Sequence, residues 1–174
     1  MGLASELGYE IGEKNVLRRG CVVLASTRPV AVLANKALHS MDRFALRLTG
    51  GKSNLTSWLI GVPTLWLTTT GAKSGLARTV PLLGIPIGDD LALLGTRFGQ
   101  KASPAWVHNL EAEPRAVVAY RGVEVRAWAR SAEPDESSAI WESVATVYSG
   151  ALDYAERATH RRIRAFVLEP DPIR

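Results

Sequence analysis

Apolar residues along this chain recur with helical spacing before residue 64, and mostly alternate from there to about residue 130, with helical stretches returning after Ser103 and after Pro134. After Pro29 they recur at Val30, Leu33, Ala34, Ala37, Leu38, Met41, Phe44, Ala45 and Leu48, an amphipathic helix stopped by Gly50-Gly51. Three β-type runs follow at 64–70, 78–87 and 91–96, separated by Gly71 to Gly75 and by Gly88-Asp89-Asp90. They predict a three-stranded antiparallel meander. Ser103 as cap and Pro104 in the first position predict a short helix carrying Trp106, Val107 and Leu110. A hairpin is expected at 116–120 and 123–129 around Arg121-Gly122, with Val123, Val125, Ala127 and Ala129 on one face. Pro134-Asp135-Glu136 opens a helix striped by Ile140, Val144 and Val147 and reaching about Tyr148. Beyond Ser149-Gly150, a helical turn at 153–159 and a last strand at 163–168 complete the pattern.

These elements predict a mainly β fold with flanking helices, either a small barrel or an α+β sheet, because no βαβ alternation supports a doubly wound sheet. Residues 1–28 read as an unassigned arm, since Gly2, Gly8, Gly12 and Gly20 discourage a long helix, and residues 29–174 as one domain. The length of 174 residues fits a single core. The chain has 47% hydrophobic and 22% charged residues, which excludes wholesale disorder. A net charge of +4 is compatible with anionic ligands but too small to select among them. Cys21 is the only cysteine, which rules out an internal disulfide and a cysteine-rich metal site. Glu6, Glu10 and Glu13 interrupt any signal-type start, so a cytoplasmic location is expected. The basic residues Lys36, Arg43 and Arg47 of the 29–48 helix read first as a solvated polar face, with peripheral contact with the inner face of a membrane as the alternative.

Chemistry concentrates in two clusters. In the first, Thr68-Thr69-Thr70-Gly71-Ala72-Lys73-Ser74-Gly75 joins two β runs, and Arg78 follows. A nucleotide-binding P-loop would need glycine before Lys73 and a helix after it; Ala72 and a strand stand there instead. What remains is a turn whose amides, hydroxyls and cations can hold an acidic group, set against the simpler reading of a polar hairpin turn in water. The second cluster, Gly95-Thr96-Arg97-Phe98-Gly99-Gln100-Lys101, precedes a helix start, where amides and dipole favour anions. In a meander both clusters fall at one edge and could serve one ligand. His39, His108 and His160 are too dispersed for a metal site, and no nucleophile, histidine and acid set stands out.

Taken together, Leu67 to Gly75, Arg78-Thr79-Val80-Pro81-Leu82, the 99–104 segment, Trp106 with Asn109-Leu110, Glu113-Pro114 and Glu169-Pro170 resemble the deazaflavin-dependent nitroreductase and quinone reductase family. The likeness runs over roughly residues 29–170. It implies a split β-barrel of the flavin- and deazaflavin-binding type that uses coenzyme F420, an 8-hydroxy-5-deazaflavin. It also implies hydride transfer to a hydrophobic electron-poor acceptor such as a quinone, nitroaromatic or activated alkene. By matching positions, Lys73, Ser74, Gly75 and Arg78 would hold the phosphate and acidic tail of the cofactor. Val80, Pro81, Thr96, Arg97, Gly99, Ala105, Trp106 and Asn109 would line the tail and ring regions. Tyr148 and Tyr154 match tyrosines that some members place against substrate, with Tyr148 as hydrogen-bond donor or proton source. Related split barrels pair, so a homodimer fits.

Three positions depart from the family pattern. Ala72 stands where many members have arginine, Val80 where some have asparagine, and Ala151 where some have a middle tyrosine, which would widen the substrate pocket. The competing reading is a lipid- or fatty-acid-binding paralogue of the same fold with little or no turnover. Single-stranded nucleic-acid binding ranks last, because it explains the basic charge but not the turn chemistry.

Overall fold

The computed structural model describes residues 1–10, 64–96, 102–147 and 163–173. The expected helices at 29–48 and 153–159 lie outside these. The chain divides into two units, Met1–Tyr9 with Leu65–Arg174, and Glu10–Thr64. The first carries the sheet.

Seven strands form that sheet: β1 (Thr64–Thr70), β2 (Ala77–Leu83), β3 (Ile85–Ile87), β4 (Asp90–Leu94), β5 (Arg115–Tyr120), β6 (Val123–Ser131) and β7 (Ala165–Pro170). Their order across the sheet is β2-β1-β5-β6-β7-β4-β3. The outermost strands, β2 and β3, are consecutive in the chain and separated only by Gly84. The sheet therefore has to curl until its edges meet, which is a barrel. The single run expected at 78–87 is thus two strands: one half pairs with β1 and the other with β4. A side chain at this bend would push Leu65 and Tyr9 aside, because a Cβ on Gly84 would stand 2.7 Å from Leu65 Cδ2 and 3.1 Å from Tyr9 Cζ.

Burial follows from which faces are covered. In β1, Leu65, Leu67 and Thr69 point inward while Trp66 and Thr68 are half-buried. β4 and β7 are buried on both faces. Leu91 pairs with Leu168 and Leu93 with Phe166 on one side, whereas Ala92 opposite Val167 joins Ile85, Ile140 and Val144 in a cluster on the other. Ile140 and Val144 come from the long helix, Pro134–Val147, whose observed span nearly matches the expected one. The β5–β6 hairpin turns at Arg121-Gly122 as expected, with both residues left-handed. Its inward row holds at Ala127 and Ala129 and fades at Val123, which is 45% exposed near the turn.

The N-terminal residues carry an element that periodicity did not reveal. Helix α1 (Leu3–Leu7) buries Leu3, Ala4 and Leu7, and packs against β4, β6 and β7. Its first amides lack intrahelical partners and find them in the β3–β4 turn: Leu3 N–H donates to Asp90 Oδ1 at 2.9 Å and Ala4 N–H to the Asp89 carbonyl at 2.9 Å. Beyond Gly8, the Tyr9 hydroxyl donates to the Gly84 carbonyl at 2.9 Å and accepts from Gly84 N–H at 3.2 Å. Its ring lies 4.8 Å from that of Tyr120. The start of the chain thereby clamps the bend at which the barrel closes.

The helix at Pro134–Val147, called α3 below, is tied to the sheet by a polar junction at Arg130. Arg130 of β6 donates through Nη1 and Nη2 to the two carboxylate oxygens of Glu136 at 2.7 Å, and through Nε to Glu169 Oε1 of β7 at 2.6 Å. The hydrogen bonds from Arg130, and then from Glu133 N–H, lower the Glu136 carboxyl from its ordinary 4.5 to about 2. Because its folded pKa is depressed, Glu136 contributes stability above pH 4.5 that is lost as pH falls toward 2. Partial exposure limits this to about 1 kcal/mol. Thermal unfolding followed down that pH range should therefore show a smaller loss of melting temperature in Glu136→Gln than in the unaltered protein.

Candidate functional site

The first chemical cluster is the β1–β2 turn. Gly71 N–H donates to the Leu76 carbonyl at 2.9 Å, and Ser74 and Gly75 N–H both donate to the Gly71 carbonyl, at 3.1 and 2.7 Å. Gly75 has a left-handed φ of 65°, which favours glycine there. Ala72, Lys73, Ser74, Gly75, Leu76 and Arg78 are all exposed. No acidic residue stands between Thr68 and Gly88, and among the described residues Lys73 and Arg78 take part in no ion pair. Two cations and a hydroxyl therefore face solvent without internal counter-charge, a donor set suited to an anion. Val80 and Pro81 continue along β2, half-buried.

Of the second cluster only Gly95 and Thr96 are described, and helix α2 (Ala105–Ala112) follows it in the chain. At its start, Pro104 occupies the cap position and no side chain caps the helix; the expected Ser103 cap is shifted by one residue. The helix seats on the end of β4, where a Cβ on Gly95 would stand 2.8 Å from Val107 Cγ2. Ala105 is exposed at the first turn, and Thr96 is half-buried just beyond β4. One and a half turns into the helix, Asn109 reaches the other cluster. Its Oδ1 accepts from Ala72 N–H at 3.0 Å, and its Nδ2 donates to Thr69 Oγ1 at 2.9 Å. Helix α2 thus packs on Gly95 at one end and holds the β1–β2 turn through Asn109.

The expected lining residues divide accordingly. Lys73, Ser74, Gly75 and Arg78 form the exposed turn. Asn109 is buried and bonded within the protein, and Trp106 is 5% exposed and edge-on to Phe166, with ring centroids 5.9 Å apart. Arg97, Gly99, Tyr148 and Tyr154 lie outside the described residues. Thr69, 2% exposed, was not singled out, although its place in the inward row after Leu65 and Leu67 signals a hydroxyl that needs a partner. Among the described residues no group of histidine, cysteine and acid could hold a metal.

The family model for F420H(2)-dependent quinone reductases matches residues 41–170, which spans both clusters, α2 and the closing strand. The chain belongs to this family. It is an oxidoreductase with coenzyme F420 as its cofactor. An F420H(2)-dependent quinone reductase of Mycobacterium tuberculosis (strain H37Rv) is 29% identical over 108 residues, 61% of this chain and 72% of the relative. Among solved structures, an F420-H2 dependent reductase (FDR-A) is 30% identical, with a TM-score of 0.55 over 62% of this chain and 94% of the other. A structure described as a domain-swapped dimer is 26% identical, with a TM-score of 0.58 over 73% and 95%. The barrel closed at Gly84 is thus the split barrel of the F420-dependent reductases. The acid-free cationic turn fits the family's cofactor, whose tail is anionic.

Proposed function

We propose that the protein reduces a hydrophobic, electron-poor acceptor at the expense of F420H2, with a quinone as the first candidate and nitroaromatics or activated alkenes as the wider class. Bound, the reduced deazaflavin supplies a hydride. The chain's own residues bind, orient and stabilise charge. Lys73, Ser74, Gly75 and Arg78 take the phosphate and acidic tail, while Thr96, Arg97, Gly99, Ala105, Val80 and Pro81 flank tail and ring. Trp106 and Asn109 support this surface from beneath. Tyr148 and Tyr154 contact the acceptor, and Tyr148 donates a hydrogen bond or proton to the oxygen that gains charge as the quinone is reduced. The observation that carries the reading is the exposed, acid-free turn with Lys73 and Arg78, anchored from α2 by Asn109.

Among the described residues no helix is long and apolar enough to cross a membrane. An acceptor as apolar as a membrane quinone would still be met at the lipid surface, and the basic 29–48 segment is the proposed contact. Pairing into a homodimer is proposed by analogy with the relative described as a domain-swapped dimer.

The test is titration with F420, followed by oxidation of F420H2 on addition of a soluble quinone. Micromolar binding and quinone-dependent oxidation of F420H2 to F420, with the quinone reduced to the quinol and followed by absorbance, are expected. Absence of binding, with fatty acid copurifying instead, would favour the lipid-binding paralogue.

A further inference from the structure

We propose that Thr69 and Asn109 are positioning residues, which act on the cofactor only through the turn that carries Lys73 and Arg78. The proposal rests on the cofactor reading above and adds a cause for the shape of the site.

Thr69 is the third inward residue of β1, in a row whose first two members are Leu65 and Leu67. A hydroxyl in that place must be bonded. It accepts from Asn109 Nδ2 at 2.9 Å and itself faces the Arg78 carbonyl at 3.5 Å. The partners decide the orientation of the Asn109 carboxamide: a peptide N–H can only donate, so the atom toward Ala72 is the oxygen. One helical residue therefore grips the end of β1 and the entry of the turn directly, and the start of β2 through Thr69. The bonded backbone groups, Ala72 N–H and the Arg78 carbonyl, bracket Lys73-Ser74-Gly75 on both sides.

No packing can do this work, because every side chain from Ala72 to Thr79 is exposed. The bonds between Gly71, Ser74, Gly75 and Leu76 set the internal shape of the turn. They do not set its position relative to α2, which packs on Gly95 at the end of β4. The Asn109–Thr69 pair supplies that register. A turn held in its binding position before the ligand arrives loses less freedom on binding, so the pair raises affinity without touching the ligand.

Thr69→Val removes the hydroxyl at nearly constant volume, and Thr69→Ser restores it. In Thr69→Val the F420 dissociation constant should rise about tenfold, and Thr69→Ser should recover most of that loss. Hydrogen exchange at the Ala72 amide, measured without cofactor, should quicken about tenfold in Thr69→Val and more in Asn109→Ala. Added to Lys73→Ala, Thr69→Val should weaken binding by less than about threefold more, because both act through one turn. Unchanged exchange at Ala72 in both Thr69→Val and Asn109→Ala would overturn the proposal, as would full multiplication of the two binding effects. If the unaltered protein bound no F420, the cofactor reading would fall, while exchange at Ala72 would still decide whether Thr69 and Asn109 hold the turn.

Discussion

Replacing Lys73 and Arg78 together by alanine should weaken F420 binding about hundredfold while leaving the melting temperature unchanged. A hydrogen bond to a charged group contributes about 1.5–3 kcal/mol, and exposure places both residues at the low end of that range. Each single change should therefore cost about tenfold, since about 1.4 kcal/mol is one factor of ten. Neither cation is engaged with an acid among the described residues, so removal strands no internal partner and stability is spared. Added salt should narrow the gap between unaltered and variant protein, because exposed charges are screened. Titration at low and high salt checks both claims. A double variant that binds like the unaltered protein would move the cofactor tail away from this turn.

The largest stability effect is expected far from that turn, in the first nine residues. Leu3 is fully buried at 0% exposure, and Leu3→Ala should cost about 2–5 kcal/mol, seen as a fall of about 10 °C in melting temperature. The cost is large because α1 covers β4, β6 and β7 with only five residues, of which Leu3 is the most deeply buried. Loss of Leu3 would also weaken the clamp of Tyr9 on Gly84, where the two outer strands meet. Cofactor affinity of the protein that remains folded should hold, since α1 contributes nothing to the Lys73 turn. An unchanged melting temperature would show that the N-terminal residues are dispensable to the barrel.

Much of the β5–β6 hairpin could be read from the chain, because Arg121-Gly122 supplies a left-handed turn and the alternation of Val125, Ala127 and Ala129 depends on neighbours in sequence. The same holds for α3, whose acids at Asp135 and Glu136 and apolar stripe define its start and face. The two anion clusters were legible as residue types. The anchoring of the first was not: it depends on Asn109 reaching Thr69 and Ala72, forty and thirty-seven residues earlier. Helix α1 escaped detection because five residues are too few to show a period, and the partners of its amides, Asp89 and Asp90, lie far along the chain.

The sequence by itself determined the periods of the strands and helices, the acid-free cationic turn, and a family likeness strong enough to name the cofactor. Each of these is a property of neighbouring residues or of residue types. The tertiary structure alone decided that the run from Ala77 to Ile87 breaks at Gly84, with its halves at opposite ends of the sheet order. It also made Tyr9 the clamp on that break, and turned Thr69 and Asn109 into the anchor of the β1–β2 turn on α2. The reason is common to all three. A curled sheet must join its own edges, and a buried polar group must find a partner, and both demands are met by residues distant in the chain.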